Sequence, residues 1–232
     1  MYLDDLAGKR FLITSGPTRC YIDAVRFISN KSTGNLGAIV ATEALKRGAS
    51  ITFIYGVGST MPDVTLLDKL DMRRINLIKI ETIDDLLTTI QIKLRESLFD
   101  VIIHAMAVVD YSPEAHIDGK IASDKEKLQV TFSRTPKVIK LIRNQWPNAF
   151  LAGFKLEVNL TKDELIERAH ISMLECGSDI IVANNINEIS EEKHKAYIIN
   201  LHKEIESVCE TKQEVSKNLI DIISKRLEHT KK

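Results

Sequence analysis

Cysteine is scarce: the 232 residues hold three, Cys20, Cys176 and Cys209, an odd number without CxxC spacing. That excludes a disulfide framework and favours a reducing compartment. None stands beside an obvious base, so each reads as an inert thiol. Neither sign of charge is in excess, 32 basic residues balancing 32 acidic ones. The chain therefore carries no electrostatic footprint for nucleic acid or an anionic membrane. No apolar run approaches the roughly 18–20 residues that span a bilayer. The first ten residues lack an apolar h-region, so no signal peptide is visible and a cytoplasmic protein is expected. Zinc-ligand spacing, a GK[S/T] phosphate loop and a GxSxG nucleophile elbow are all missing, which argues against metal hydrolysis, P-loop chemistry and a covalent serine. There is no internal repeat, low-complexity tract or linker.

What remains is an ordinary globular composition, 44% hydrophobic and 28% charged, in a length suited to one large domain, residues 1–232. Apolar runs alternate with helical periods. Phe11 to Thr14 and Ile51 to Tyr55 read as strands, each ending in a glycine-bearing turn, with a helix from Gly34 to Arg47 between them. Thr82 with Asp85 starts a helix whose stripe is Ile83, Leu86, Leu87, Ile90 and Leu94. Asp100 to Val109 is apolar enough for a central strand buried on both faces. Thr135-Pro136 reads as an N-cap and first-turn proline for a helix to about Gln145. Phe150–Phe154 and Asp179–Ala183 are further strands, separated by a helix boxed by Thr161 and Glu164 and ending at Cys176-Gly177. A hairpin, Ala196–Asn200 with Ile205–Val208, precedes a last helix opened by Thr211 and Glu214. This alternation predicts an α/β fold: a doubly wound, mostly parallel, Rossmann-like sheet with helices on both faces and a C-terminal hairpin. Ser112 to Leu128 has no period. Such stretches are functional lids or disordered connections.

Open parallel sheets bind ligands beyond the carboxyl ends of their strands. After the first strand come Ser15-Gly16-Pro17-Thr18 and then Asn30 to Gly37, where Ser32, Gly34 and Gly37 offer hydroxyls, unshielded N–H groups and a helix start. That suits phosphate, or serves only packing. It is not the dinucleotide fingerprint, because the second strand ends in Tyr55-Gly56 without a ribose-binding acid. After the third comes Asp110, which holds a polar ligand or caps the next turn. His104, inside that strand, reads as a satisfied core imidazole. Gly153, Phe154, Lys155 and Glu157, and then Asn184 and Asn185, follow the last two parallel strands.

At these residues the chain resembles a family. ITSGPT (13–18), VRFISNKSTGNLG (25–37), AMAVVDY (105–111), GKIAS (119–123), RTPKVI (134–139), GFKLE (153–157) and IVANN (181–185) are similar, in order, to phosphopantothenate–cysteine ligase, in its free-standing bacterial-type form. The resemblance implies an enzyme of coenzyme A synthesis that joins 4′-phosphopantothenate to L-cysteine. The carboxylate is first activated by CTP, or ATP, with Mg²⁺ to an acyl-nucleotide, and cysteine's amine then displaces the nucleotide. It carries Asn30 onto the catalytic asparagine and Lys120 onto the lysine of a mobile loop, which makes 112–128 a lid. Gly16, Ser32, Gly34 and Gly37 fall around the nucleotide phosphates. Phe154 and Asn184 fall near base and sugar, and Pro136, Lys137, Val138 and Ile139 on a helix start bordering the nucleotide. Met106, Ala107 and Asp110, with Asn30, fall on the phosphopantothenate site, and the family completes its active site across a homodimer. Flavin belongs to a fused partner domain and is not expected.

Two departures stand out. Where fused bacterial members carry two lysines one turn apart, this chain has Ser172 and Cys176, and GFKLE is closer to ATP-using members. The rival readings are a non-catalytic or regulatory nucleotide-binding protein on the same fold and a nucleotide-dependent dehydrogenase. The missing ribose acid weighs against the second.

Overall fold

In the computed structural model, residues 4–65, 71–115, 117–124, 126–190 and 192–229 are described. Six parallel strands make up most of an eight-stranded sheet: β1 (Arg10–Ser15), β4 (Ser50–Gly56), β5 (Ile75–Ile80), β6 (Val101–His104), β9 (Phe150–Glu157) and β10 (Ile180–Asn185). Antiparallel β11 (Ala196–Asn200) and β12 (Ile205–Cys209) extend one edge, giving the order β12-β11-β10-β9-β6-β1-β4-β5. Two short hairpin arms lie outside it: β2 (Arg19–Tyr21) with β3 (Phe27–Ser29), and β7 (Tyr111–Pro113) with β8 (Phe132–Arg134). The doubly wound sheet and its terminal hairpin are as the sequence predicts.

Alternate residues of the central strands feed two cores, as the period of two requires. Phe11, Ile13, Phe53, Ile103 and Val182 meet helix α1 (Asn35–Lys46) and helix α5 (Lys212–His229) on one face. Leu12, Ile54, Ile102 and Leu151 face helix α2 (Ile83–Thr88) and helix α3 (Val138–Gln145) on the other. Ile181 and Ala183 pack under helix α4 (Lys162–Cys176) on that same side. Thr82–Asp85 and Thr161–Glu164 form the expected capping boxes, and Gly177 ends α4 in the left-handed conformation. Arg47, 6% exposed, ties the layers together by bonding Asp5 of the N-terminal segment and Asp221 of α5.

Two expectations are corrected, and a third stretch shows local order. β6 stops at His104 rather than running to Val109, because beyond it the chain leaves β9 and follows the extension of β1. Thr135 does not cap α3: its hydroxyl donates to Val109 O at 2.6 Å, Pro136 lies outside the helix, and Lys137 holds the cap position. The unpatterned stretch is partly ordered, since Ser112 and Pro113 pair with Ser133 and Phe132. β5 and the four strands of the two arms are unforeseen. β5 is an edge strand with Leu77 exposed, so burial imposes little pattern on it, and the arms are too short to show a period.

Candidate functional site

The chain leaves β1 toward β4 and β5 on one side and returns as β6 and β9 on the other. The order therefore reverses between β1 and β6, whose carboxyl ends at Ser15 and His104 are neighbours. A crevice at such a reversal is where an open α/β sheet takes its ligand.

One wall is a nest of small residues. Gly16 turns the chain out of β1 at φ +79, a conformation a side chain would strain. Ser15 Oγ donates to Gly34 O at 2.8 Å, and a Cβ on Gly37 would meet that same hydroxyl at 2.4 Å. The turn after β4 closes over this loop: Thr60 N–H donates to Thr33 O at 2.8 Å, and Ser59 lies against Gly16 and Gly34. Ser59 Oγ is buried without a hydrogen-bond partner. α1 begins here at Gly34 with no side-chain cap and no acidic residue in its first turn. The Gly34 and Asn35 N–H groups make only long bonds of 3.4 Å, to Ser32 Oγ and Thr33 Oγ1, which an anion at this positive dipole end can displace. Gly16, Ser32, Gly34 and Gly37 thus come together as expected. Gly56 and Ser59 were missed, and the signal for them was the GVGS run directly after the second strand.

The facing wall is the segment after β6. Ala105 N–H donates to Thr14 O at 3.0 Å, Ala107 N–H to Gly16 O at 2.8 Å and Val109 N–H to Thr18 Oγ1 at 3.0 Å, so the two strand extensions stay zipped. Asn30 sits over this seam, its Nδ2 donating to Ala107 O at 3.2 Å and Val108 O at 3.0 Å. Those donors are engaged, so donation to a substrate oxygen requires the amide to leave the two carbonyls. Asp110 is exposed and accepts from Lys137 Nζ at 2.6 Å. Such a solvent-screened pair is worth at most about 1 kcal/mol, and a ligand competes with it readily. Lys120 is exposed on the neighbouring loop.

Other sequence-derived residues divide by burial. Met106 and Val138 are core side chains, 7% and 3% exposed, so only their backbones can face a ligand. Ile139 is half-buried and packs near Gly153. Phe154 is half-buried on β9. Asn184 is buried at the end of β10, and its Nδ2 lies 2.8 Å from His194 Nε2. His194, which sequence reading passed over, shares a recess of about 90 Å³ with Asn35 at the start of α1 and Lys212 at the start of α5. Burial, with the Lys212 charge, holds its imidazole neutral, with a pKa near 4. His104 is the expected core imidazole, bonded through Nδ1 to Thr14 Oγ1 at 2.7 Å and held near pKa 4 by burial. Ser172 and Cys176 lie half-buried on α4. Burial raises the thiols of Cys20 and Cys209, which keeps them protonated and unreactive. Among the described residues no cluster of His, Cys, Asp or Glu could hold a metal ion, and no helix is long and apolar enough to cross a membrane.

This arrangement can seat an anion at an uncapped helix start and place an amide over the neighbouring strand seam. The chain is 35% identical over 222 residues to the coenzyme A biosynthesis bifunctional protein CoaBC of Thermococcus kodakarensis, which covers 96% of this chain and 52% of that protein. It thus spans about half the length of the curated relatives it matches. A crystal structure of the DNA/pantothenate metabolism flavoprotein from Streptococcus pneumoniae superimposes with a TM-score of 0.83 at 28% identity, covering 94% of this chain and all of that one. A Cab2 variant in complex with phosphopantothenate-cysteine shares the fold, with a TM-score of 0.77 at 18% identity over 97% of this chain and 89% of that one. The family model described as the DNA/pantothenate metabolism flavoprotein C-terminal domain matches residues 6–227, and the chain belongs to that family.

Proposed function

We propose that this chain is a phosphopantothenate–cysteine ligase of coenzyme A synthesis. One observation carries the reading: the glycine nest at the uncapped start of α1 and the Asn30–Ala107 contact lie together at the carboxyl ends of β1 and β6, joined by the Ala107 N–H bond to Gly16 O. The nest supplies N–H groups for a triphosphate, and the seam supplies a place for a carboxylate beside it. A carboxylate resists amines. Conversion to an acyl-nucleotide, with loss of pyrophosphate, divides one hard step into two easier ones. Cysteine's amine then attacks the acyl carbon and the nucleoside monophosphate leaves. In this reading Asn30 moves from the Ala107 and Val108 carbonyls onto the intermediate, while Lys120 offsets phosphate charge during activation. Asp110 exchanges Lys137 for the pantoyl portion of the substrate. Mg²⁺ would arrive bound to the triphosphate and neutralise charge there, since among the described residues no cluster of His, Cys, Asp or Glu could hold it. Flavin has no part in this reading.

The same reading has a second copy of the chain completing the site in a cytoplasmic homodimer. Its support is the apolar surface on and beside the arms, where Val25, Phe27, Ile28, Tyr111 and Ile117 are all exposed. CTP is the proposed triphosphate. Base discrimination needs polar groups at the base edge. Asn184 is such a group, its amide anchored at one end by His194.

The test is pyrophosphate release with CTP or ATP at equal concentration, with and without 4′-phosphopantothenate, followed by product analysis after L-cysteine is added. Release that needs phosphopantothenate, and ligated product, are expected. Release indifferent to that substrate, or none, removes the ligase reading in favour of a nucleotide-binding protein. A tenfold preference for ATP, about 1.4 kcal/mol, reverses the nucleotide choice alone.

A further inference from the structure

Asp23 is a carboxylate with no exposed side-chain surface, in the turn between β2 and β3, and nothing in the proposed chemistry uses it. Its two oxygens do different work. Oδ1 accepts from the N–H groups of Val25 at 2.9 Å and Arg26 at 2.7 Å, which shapes the turn itself. Oδ2 accepts from Ile121 N–H at 3.0 Å, 98 residues along the chain, and from the Arg26 guanidinium at 2.9 Å. Around that bond the same turn holds the same loop again: Ala24 N–H donates to Gly119 O at 3.0 Å, Asp23 bridges Ile117, and Arg26 reaches Ile121 O at 3.5 Å. Lys120 lies between the two residues so held, Gly119 and Ile121. Its own side chain is exposed, so among the described residues its position is set through this backbone clasp. Burial works to raise the Asp23 carboxyl, but the N–H groups of Ile121, Val25 and Arg26 and the Arg26 charge together keep it below its ordinary value. It is therefore a permanent acceptor at neutral pH.

We infer that Asp23 is a positioning residue: through Oδ2 and the Ile121 N–H it fixes the loop so that Lys120 is presented to the crevice, from a turn seven residues before Asn30, which follows β3 of the same arm. The inference rests on the proposed role of Lys120. A carboxylate is required because all four bonds come from donors. An amide at this site keeps one acceptor for the turn but turns an NH₂ toward Ile121 N–H and the guanidinium, donor against donor. Asp23→Asn therefore releases the loop selectively.

The experiment measures amide hydrogen exchange at Ile121 together with steady-state pyrophosphate release from CTP and 4′-phosphopantothenate in the wild type, Asp23→Asn and Lys120→Ala. In the wild type the Ile121 amide is protected at least tenfold relative to Ser123. That measurement needs no variant, and an unprotected Ile121 overturns the inference even if Asp23→Asn does not fold. In Asp23→Asn, Ile121 exchange rises at least tenfold and kcat falls at least tenfold, with KM for CTP changed less than threefold. A merely structural role would instead lower the folded fraction and move both constants with the melting temperature. Faster exchange at Ile121 with kcat unchanged overturns the positioning role. Lys120→Ala separates this result from the parent reading. An inactive Lys120→Ala beside a fully active Asp23→Asn overturns the clasp alone. A fully active Lys120→Ala overturns the role of Lys120, and with it any need to position that residue.

Discussion

Replacing Gly56 by alanine tests whether the crevice depends on the close approach of the β4 turn to the β1 extension. A Cβ there would lie 1.9 Å from the Pro17 carbonyl oxygen and 3.0 Å from its carbon. To reach van der Waals separation that contact must open by roughly 1.5 Å. The obstacle is backbone, not a side chain that can rotate away. Pro17 is itself bridged to Ala107, whose carbonyl holds Asn30, so the displacement reaches both walls of the crevice. Overpacking of this kind costs about 3 kcal/mol, and we expect pyrophosphate release to fall with it by more than tenfold. Gly58→Ala is the control. A Cβ there meets nothing within 4 Å, but its φ of +81 strains any side chain; about 1–2 kcal/mol is expected with activity kept. Gly16→Ala combines a φ of +79 with a movable neighbour, Ser59 Oγ at 1.8 Å, and should fall between the two in stability while raising KM for the triphosphate. Urea unfolding and initial rates on the three variants decide the matter. If Gly56→Ala is no less stable than Gly58→Ala and retains its rate, the two walls are not coupled through Pro17 and the reasoning fails.

Asn30→Ala should slow capture of the acyl-nucleotide by about 10²–10³, the usual cost of one positioned donor, and mass spectrometry should find the intermediate trapped with little product. Lys120→Ala should block activation with the melting temperature unchanged, since its side chain contributes nothing to either core; a large drop would make it structural. Asp5 gives a pH prediction. The Arg47 guanidinium, against the cost of burial and with help from Ser224, holds its carboxyl at about 2. An ordinary carboxyl titrates near 3.9; with solvent screening at this exposed residue, the difference favours the folded state by about 1 kcal/mol above pH 5. Because the folded value is the lower one, that stability is lost as pH falls, with about half remaining at pH 3. The stability gap between wild type and Asp5→Asn in urea should therefore narrow from pH 7 to pH 3, and a pH-independent gap would refute the assignment.

Several features were legible because they are local. Thr82–Asp85 and Thr161–Glu164 place their helices because a capping box involves residues three apart. The parallel sheet showed itself because strands buried on both faces must be apolar throughout, as Val101 to Ile103 are. The loop proposed to accept phosphate was visible as small residues at a helix start, and the quoted motifs carried the family. Sequence patterns failed where a residue's partner lies far along the chain. Thr135 has the chemistry of a cap, but the tertiary fold offers its hydroxyl the Val109 carbonyl, 26 residues away. β5 left no signature because an edge strand need not alternate. Gly56 reads as a strand terminator, and only the packing of two loops shows that a side chain there would strike Pro17. Ser59, His194 and Asp23 are ordinary polar residues until burial removes water from around them. Burial is a property of the assembled layers, so the orphaned hydroxyl, the imidazole at the end of Asn184 and the clasp on Ile121 were decided by tertiary structure, whereas the order of elements and the identity of the loops that meet were set by local sequence.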